Sequence, residues 1–490
     1  MAAIDPDQPI PLYFQLKTLL REEILSGRYG PGERLPTEHW LCAHYGISRT
    51  PVNRALSELA EEGVILRHRR RGTFVNPHWL SRQPHERDLR VVVPDGPWES
   101  QMREAAPQGV QINAAAVSLV DLHQTLTRAV AEGRGPDLAV LDSVWVPEFA
   151  DAGFLWPLEE LDRGWLEAEH ERDFLEPFVT AHRYDGRTLA VQAEADVAGL
   201  WYSRRDLESV GADPPTTWGD LVAVGRALRR LDGGARHPVA LPGGSTAGET
   251  TSYFLLALLA SNGVSVLGRD GVTLADPATV EALELLRSVV DEGLASSEVL
   301  VSEWDRPIRL LAQGQAAISF GGSYESRILA EAAGLSMADL WERFGFASMP
   351  SGPHGGRATL AGGMVYCILR QAAQPDLAMR LLERLASRDA LAAMARSTGQ
   401  IPPRRSAVAL VADEVPLLSA TAEMLRHAVV RPATPEYTRV SAQLQALVEA
   451  VLTRRLEPAA AAFRAADMIG AITGLPVVGV EARDAGRQPV

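Results

Sequence analysis

The stretch YGISRTPVNRALSELAEEGVILRHRRRGTFV, residues 45–75, decides the fold of the N-terminal part of this chain. Gly46 permits a tight turn, and Ser48 stands where a helix N-cap is expected. The helix that follows ends at Gly63, and its apolar positions recur at helical spacing, at Val52, Leu56 and Leu59. Residues 64–66 and 73–75 are short apolar segments on either side of a basic tip, which predicts a β-hairpin.

Two more helices are predicted before this stretch. The first follows Pro11, and the second is short and capped by Thr37. Short helices joined by a glycine turn and followed by a basic hairpin are the plan of a winged helix-turn-helix. The third helix presents Arg49, Thr50 and Asn53 from its first turns, the part that reaches base edges in the major groove. The hairpin offers arginines to phosphates. We therefore predict a DNA-binding domain.

This domain resembles the GntR family of bacterial regulators. The resemblance is carried by PLYFQL, GRYGPGERLPTE, YGISRTPVNRAL, LAEEGVILR and RRRGTFV, which cover the whole domain. It implies that Arg34, Arg49, Thr50, Pro51 and Gly72 lie near DNA. Further candidates lie on the predicted reading helix, on the hairpin and beside them. The full set of expected DNA-binding residues is Arg34, His39, Ser48, Arg49, Thr50, Pro51, Asn53, Arg54, Arg69, Arg70, Arg71 and Gly72.

Two positions depart from the family pattern. His39 and Asn53 stand where the family usually has arginine. Asparagine pairs bidentately with adenine, whereas arginine favours guanine. We therefore expect an operator that differs from the family's common half-site. Arg54 is one position later and offers a phosphate contact in another direction.

The remainder of the chain alternates helix and strand patterns. Residues 82–87 are polar and read as part of a linker, and residues 138–141 and 200–202 read as buried strands. A helix capped by Thr217 follows the second of these strands. Such alternation predicts an α/β fold with a mainly parallel sheet.

This body resembles the family-1 extracellular solute-binding proteins, the sugar receptors of ABC importers. Six runs appear in the family's order, among them LWYSRRDLESVGADPPTTWGDL, LLAQGQAAISFGGSYESR and STGQIPPRRSA. The resemblance implies a type II-like periplasmic-binding-protein fold of two α/β lobes with ligand between them. The predicted organisation is multidomain: a winged helix-turn-helix domain over residues 1–80, a linker over 81–88, and a ligand-sensing domain over 89–490.

Sugars need aromatic faces for stacking and charged or amide groups for their hydroxyls. Glycines let the backbone approach a ligand closely. Trp201 is as compatible with a core position as with stacking, and Asp142 and Asp196 are also compatible with helix or turn caps. Glu194 and Gly321 are further candidates for ligand contact. The expected ligand-binding residues are Asp95, Trp98, Asp142, Trp145, Asp196, Trp201, Tyr253, Gly322, Tyr324, Gly362, Gly363 and Arg404.

Composition excludes several classes of protein. The formal net charge is −14, but residues 1–80 carry ten positive and nine negative side chains, so the acidity lies in the body. Lys17 is the single lysine, which argues against a pyridoxal-phosphate enzyme fused to such a head, because that cofactor needs a lysine. Adjacent acids such as Glu159 and Glu160 do not face each other across a glycosidase site. Two separated cysteines suggest neither a disulfide nor a metal site.

These observations predict a non-enzymatic, ligand-responsive transcription regulator without a cofactor. Its expected partners are palindromic operator DNA, bound by a homodimer, and a small-molecule effector for which we expect a sugar or polyol. The N-terminal residues lack the pattern of a signal peptide, so a cytoplasmic protein with no membrane partner is expected. Two alternatives stay open: the receptor of an ABC sugar importer, and a DNA-binding protein whose receptor-like body only dimerises.

Overall fold

The structure, a computed structural model, describes residues 4, 11–25, 27–68, 71–77, 79 and 88–478. The chain divides into two compact units. The first unit comprises Met1–Leu141, Gly153–Arg163 and Tyr366–Leu385, and the second comprises Asp142–Ala152, Gly164–Val365 and Ala386–Val490. The predicted domain boundaries stay a prediction.

The N-terminal part of the first unit contains three helices and a hairpin: α1 (Leu12–Leu25), α2 (Glu38–Tyr45), α3 (Arg49–Glu61), β1 (Ile65–His68) and β2 (Gly72–Val75). The hydroxyl of Thr37 accepts a hydrogen bond from the Trp40 backbone (3.2 Å), and Gly46 ends α2 in the left-handed conformation. β1 and β2 pair antiparallel. This arrangement confirms the predicted winged helix-turn-helix, which we call the head.

The strands after the head are short and mostly buried. They are β3 (Asp88–Pro94), β4 (Gln111–Val117), β5 (Leu138–Asp142), β6 (Arg183–Tyr184), β7 (Arg187–Thr188), β8 (Val191–Gln192), β9 (Asp196–Ser203), β10 (Val239–Ala240), β11 (Leu267–Gly268), β12 (Gly271–Val272), β13 (Ile318–Gly322), β14 (Phe344–Ser348), β15 (Thr359–Gly362), β16 (Met364–Ile368) and β17 (Ala428–Val430).

The helices of the same part alternate with these strands. They are α4 (Trp98–Glu104), α5 (Leu119–Ala131), α6 (Val146–Asp151), α7 (Glu159–Trp165), α8 (Glu171–Asp173), α9 (Glu176–Ala181), α10 (Arg204–Ser209), α11 (Trp218–Leu231), α12 (Glu249–Ser261), α13 (Pro277–Asp291), α14 (Arg306–Ala312), α15 (Ser326–Ala333), α16 (Met337–Arg343), α17 (Pro375–Leu385), α18 (Arg388–Thr398), α19 (Arg405–Val411), α20 (Pro416–Arg426), α21 (Tyr437–Leu452) and α22 (Pro458–Thr473).

Three neighbouring strands of the first unit run parallel, as the sequence predicts. β3 lies between β4 and β5 and runs parallel to both. β3 and β5 are continuous apolar segments, which is typical of parallel strands covered on both faces. The carboxyl ends of parallel strands lie at the same edge of a sheet. Asp95 directly follows β3 and therefore lies at this edge.

The sheet of the second unit is mixed, which corrects the expectation of a mainly parallel sheet. Its strand order is β10-β13-β9-β15-β17, and β14 also pairs with β9. β9 runs antiparallel to β13, β14 and β15, whereas β10 pairs parallel with β13 and β15 with β17. A long central strand with antiparallel neighbours cannot be distinguished from a parallel one by its apolar pattern, because both are buried on two faces.

The longest apolar stretch, residues 254–260, lies inside α12. This helix is buried along most of its length in the core of the second unit. Its apolar character therefore reflects burial inside the protein. None of the helices in the described part of the chain combines the length and apolarity needed to cross a bilayer.

Candidate nucleic-acid interface and ligand site

The first turn of α3 is exposed on the surface of the head. The Arg49 side chain is 79% exposed and only loosely paired with Glu38, at 3.4 Å. Thr50 is exposed beside it, and Pro51 fits the first turn, where its missing N–H has no partner to lose. Ser48 occupies the N-cap position, but its side chain makes no capping hydrogen bond. Its hydroxyl is thus available to a partner outside the helix.

Arg67 on β1 holds α3 in place. Its guanidinium donates to Glu38 on α2 (2.7 Å) and to Asn53 Oδ1 and Ser57 on α3 (2.9 and 2.8 Å). The carbonyl oxygen of the Asn53 amide is thereby oriented by the hairpin, and its amide NH₂ remains as a donor. Arg67 was absent from the predicted DNA-binding residues, and it acts through Asn53 as a positioning residue.

The remaining predicted DNA-binding residues divide by their surroundings. Arg54 is exposed but packs over the Tyr13 ring at 3.6 Å and donates to Glu58 (3.0 Å), so it is occupied within the head. Arg34 lies against Gly72, whose φ of +111° favours glycine. His39 and Arg71 are exposed. The predicted contacts of Arg69 and Arg70 lie outside the described residues.

The head contacts the sheet of its own unit through α1. Arg21 donates to the backbone oxygen of Ala116 on β4 (3.2 Å) and pairs with Glu62 of the head. Glu22 lies beside Asp121 on α5. Burial, together with the negative charges of Asp121 and Asp95, raises the pKa of Glu22 to about 7. β4 is an edge strand, so α1 covers part of a free sheet edge.

A buried cluster of charges centres on Arg431 in the second unit. Arg431 directly follows β17, and its side chain is only 6% exposed. It donates to Asp142 Oδ1 (2.6 Å) and to Glu249 Oε1 (3.0 Å). Glu249 also accepts from Tyr437 and Ser441, both at 2.6 Å. We call these groups, together with Asp196 and Tyr253, the Arg431 cluster.

Asp196 and Glu194 bring further negative charge to this cluster. Glu194 stands two residues before Asp196, the first residue of β9, and the two carboxyls lie within electrostatic range of each other. Burial and the charge of Asp196 raise the pKa of Glu194 to about 8. Burial raises the pKa of Asp196 to about 6, although Arg431 and the hydroxyl of Tyr253 act in the opposite direction. Glu194 therefore carries a proton at neutral pH while Asp196 is mostly ionised.

The chemical capacity of this region follows from those protonation states. A protonated carboxyl both donates and accepts, and an ionised carboxylate accepts only. Tyr324 is partly exposed, lies edge-on to Tyr253 with ring centroids 6.1 Å apart, and Trp145 is partly exposed on the same core. This region of the second unit thus combines hydrogen-bond donors, hydrogen-bond acceptors and aromatic rings. Groups of three or more His, Cys, Asp or Glu side chains fit to hold a metal ion do not occur among the described residues.

Comparison with known proteins now places both parts of the chain. Residues 102–423 match the family described as bacterial extracellular solute-binding proteins. The chain belongs to this solute-binding family. Residues 12–75 match the bacterial regulatory proteins of the gntR family, so a GntR-type head is fused to a solute-binding body.

Individual relatives agree with this division of the solute-binding chain. A putative binding protein of Brucella abortus is 26% identical over 313 residues, 63% of this chain and 72% of the relative. The histidine utilization repressor of Klebsiella aerogenes is 45% identical over 67 residues, 14% of this chain and 28% of that repressor. A solved ABC-transporter solute-binding protein of Thermotoga lettingae has a TM-score of 0.70 at 23% identity, covering 79% of this chain and all of that one. The predicted fold class is confirmed.

Several predicted ligand-binding residues of this solute-binding chain lie in the interior. Trp201 is fully buried, donates to the Gly322 oxygen (3.0 Å) and packs against Phe346, so it is a core residue. Trp98 is 4% exposed and packs edge-on to Tyr366. Arg404 is buried, paired with Asp173 and Glu169, and donates to the Ala386 oxygen. The sequence could not separate these from surface aromatics and free cations, since packing partners are distant in the chain.

The predicted glycines approach protein groups closely. A Cβ at Gly362 would lie 2.9 Å from Arg431 and 3.2 Å from Asp196. Gly363 has a φ of +122°, and its oxygen accepts from the Ser143 backbone (3.1 Å). Gly322 lies beneath the ring of Tyr324. The absence of a side chain at these glycines therefore leaves room for the Arg431 cluster and the ring of Tyr324.

The other predicted ligand residues fall into two groups. Asp142, Asp196 and Tyr253 meet in the Arg431 cluster, with Tyr324 and Trp145 nearby. Asp95 is exposed in the first unit, where Arg21 of the head lies within electrostatic range. Sequence reasoning missed Arg431 and Glu249. The available signal was an arginine directly after the apolar segment that became β17, a position comparable to that of Asp142 at the end of β5.

Proposed function

We propose that this protein is a ligand-responsive transcription regulator. It binds a palindromic operator in double-stranded DNA as a homodimer through its GntR-type head, it senses a small polar molecule through its solute-binding body, and it acts in the cytoplasm without catalysing a reaction. The observation that carries the proposal is the exposed reading face of α3, Arg49 and Thr50, on a chain whose body belongs to a ligand-binding family.

DNA binding follows from the head. Exposed cations at the first turn of a reading helix reach base edges, while cations on a wing contact phosphates. One head contacts too few bases for useful specificity, which favours two heads on a two-fold site. The relatedness of the head to a repressor supports the same assignment.

Selection of bound sequences from a random DNA library tests this step. We expect an enriched palindrome. Replacing the hairpin arginines Arg69, Arg70 and Arg71 by alanine should weaken binding to all sequences and flatten its salt dependence. A matched control replaces three exposed arginines of the body, Arg205, Arg230 and Arg327, by alanine. Recovery of an unpaired half-site bound tightly by a monomer would contradict the proposal.

The ligand site that we propose lies at Glu194, Asp196 and the adjoining rings of Tyr324 and Trp145. Sugar hydroxyls both donate and accept, and their C–H faces stack on aromatic rings. One protonated and one ionised carboxyl supply both kinds of partner within two residues of chain. The Thermotoga lettingae protein was solved with α-D-tagatose, and a sugar or polyol is the effector class that we propose here.

A thermal-shift screen of monosaccharides, oligosaccharides and polyols identifies the effector. Calorimetry on Trp145→Ala, Tyr324→Ala and Asp196→Asn then locates it, and we expect each to weaken binding. Trp304→Ala is the control, because Trp304 is a solvent-exposed tryptophan outside the Arg431 cluster. Full affinity in all three variants would reject this site while leaving the fold intact.

Coupling between ligand and DNA is proposed to pass through α1. Arg21 links the head to β4, and Glu22 lies beside Asp121 at the start of α5. A ligand shifts DNA affinity only if it binds two states of the protein differently. Arg21→Ala and Glu22→Gln should therefore reduce the effect of ligand on DNA affinity more than either binding step alone.

A further inference from the structure

The last helix of the second unit has two different faces. The inner face of α22 is buried against α13 and α21, at Ala461, Ala462, Ala465, Ala466 and Ile469. The outer face is exposed, yet it carries large apolar side chains: Phe463 is 54% exposed and Met468 is 42% exposed. A helix whose solvent face is apolar at its centre has a surface suited to a partner.

The exposed residues form one stripe. Ala460, Phe463, Arg464, Asp467, Met468 and Ala471 recur at spacings of three and four. Arg464 and Asp467 are exposed charges of opposite sign one turn apart, and neither forms an ion pair or hydrogen bond with the described residues. The cation precedes the anion, the less favourable order for pairing within a helix. Both charges are therefore free to pair with a second molecule.

We propose that the outer face of α22 is the interface between two copies of this chain, with the two helices antiparallel around a two-fold axis midway between residues 465 and 466. This inference rests on the proposed function, since reading a palindrome requires two heads. In a two-fold interface, residue i contacts j and j contacts i. Arg464 then pairs with Asp467 of the second copy, and the pair occurs twice.

The rest of the stripe fits the same axis. Ala460 lies as far from the axis along the helix as Ala471, so these small residues oppose each other and let the two helices approach closely. Phe463 and Met468 flank the charge pairs on either side and exclude water from them. Charge complementarity of the stripe with itself selects a second copy of this chain as its partner.

One helix pair is a small interface. Its area falls below the ~1,200 Å² of stable complexes, so free protein should dimerise weakly. A two-fold operator holds both copies at high effective concentration and strengthens the contact. We therefore expect a concentration-dependent monomer–dimer equilibrium in solution and cooperative binding on DNA.

Sedimentation velocity of the full-length protein over a concentration series tests the pairing. Arg464→Asp and Asp467→Arg each place like charges across the axis, and each should weaken the dimer by about tenfold or more, or ~1.4 kcal/mol. The double variant R464D/D467R restores opposite charges in both pairs and should restore the dimer. Arg327→Asp, an exposed arginine on α15, is the control and should leave the equilibrium unchanged.

The outcomes separate the surface from the function. A dimer that is insensitive to either single reversal, or that the double variant fails to restore, overturns this interface and leaves the dimeric regulator intact. A wild-type protein that is monomeric both in solution and on operator DNA overturns both. Stripe variants that lower the melting temperature of a monomer would mean that this face is packed within the monomer, and they would also reject the proposal.

Discussion

Arg49 in the head and Arg431 in the second unit show two ways of using a guanidinium. Arg49 is 79% exposed with one long contact at 3.4 Å, whereas Arg431 is 6% exposed and paired with two carboxylates. The first is held ready for a partner outside the protein. Arg431 is engaged in ion pairs within the protein, and its partners come from separate segments of the chain. The difference separates residues that read a partner from residues that build a site.

Removal of Arg431 should produce the largest effect. Arg431→Ala leaves the partly buried Asp142 and Glu249 without their cation, and breaking a buried pair from one side costs up to about 3–5 kcal/mol. We expect this loss in the unfolding transition of the body, measured by calorimetry. Arg439→Ala is the control, since Arg439 is an exposed arginine on α21 and should change stability by no more than ~0.5 kcal/mol. Equal stability of the two variants would refute the buried cluster.

Arg49→Ala should cost DNA affinity rather than stability. A contact to a base edge is worth ~1–3 kcal/mol, measured by fluorescence anisotropy on the selected operator. Arg54→Ala is the comparison on the same helix, because Arg54 is already engaged by Tyr13 and Glu58. We expect its effect on affinity to be the smaller one. The reverse order would mean that Arg54 leaves Tyr13 to contact DNA.

Glu194 should make stability depend on pH. Its pKa is about 8 in the folded protein against 4.5 normally, so the stability it contributes is present below pH 4.5 and lost as pH rises through 8. Glu194→Gln removes this loss, and its stability relative to the wild type should rise continuously between pH 5 and pH 8, by up to ~1.4 kcal/mol per pH unit. Glu208→Gln, at an exposed position on α10, should show no such trend. A pH-independent difference for Glu194→Gln would contradict the burial of this carboxyl.

Arg67→Ala should have the smallest effect, which we expect in the preference for operator over non-specific DNA. Losing the bonds to Glu38, Asn53 and Ser57 frees the Asn53 amide, at a cost of ~0.5–1 kcal/mol in operator preference. Affinity for non-specific DNA should fall less than affinity for the operator. Arg67→Lys keeps the charge but not the forked geometry, so it should restore only non-specific binding. Unchanged operator preference in both variants would remove the positioning role.

The contrast between the head and the Arg431 cluster also explains which features could be predicted from the sequence. The head is built from local signals, such as the Thr37 cap, the Gly46 turn and the spacing of Val52, Leu56 and Leu59, so its fold and exposed reading face follow from short stretches. The Arg431 cluster joins residues 142, 196, 249, 253, 431 and 437. Position at a strand end pointed to Asp142 and Asp196, which the structure brings together around Arg431. No local pattern distinguishes the fully buried Trp201 from a ligand platform or ties Arg404 to Asp173. The antiparallel neighbours of β9 were missed for the same reason.

One measurement addresses the central claim that the head and the body form a single switch. The effector found by thermal shift is titrated into the protein with and without saturating operator DNA. Linkage requires that a ligand which changes operator affinity has its own affinity changed by the operator in equal measure, typically by ~1–3 kcal/mol. We predict two isotherms separated by roughly 5- to 150-fold in Kd. Superimposable isotherms would contradict the account and leave the body as a passive scaffold.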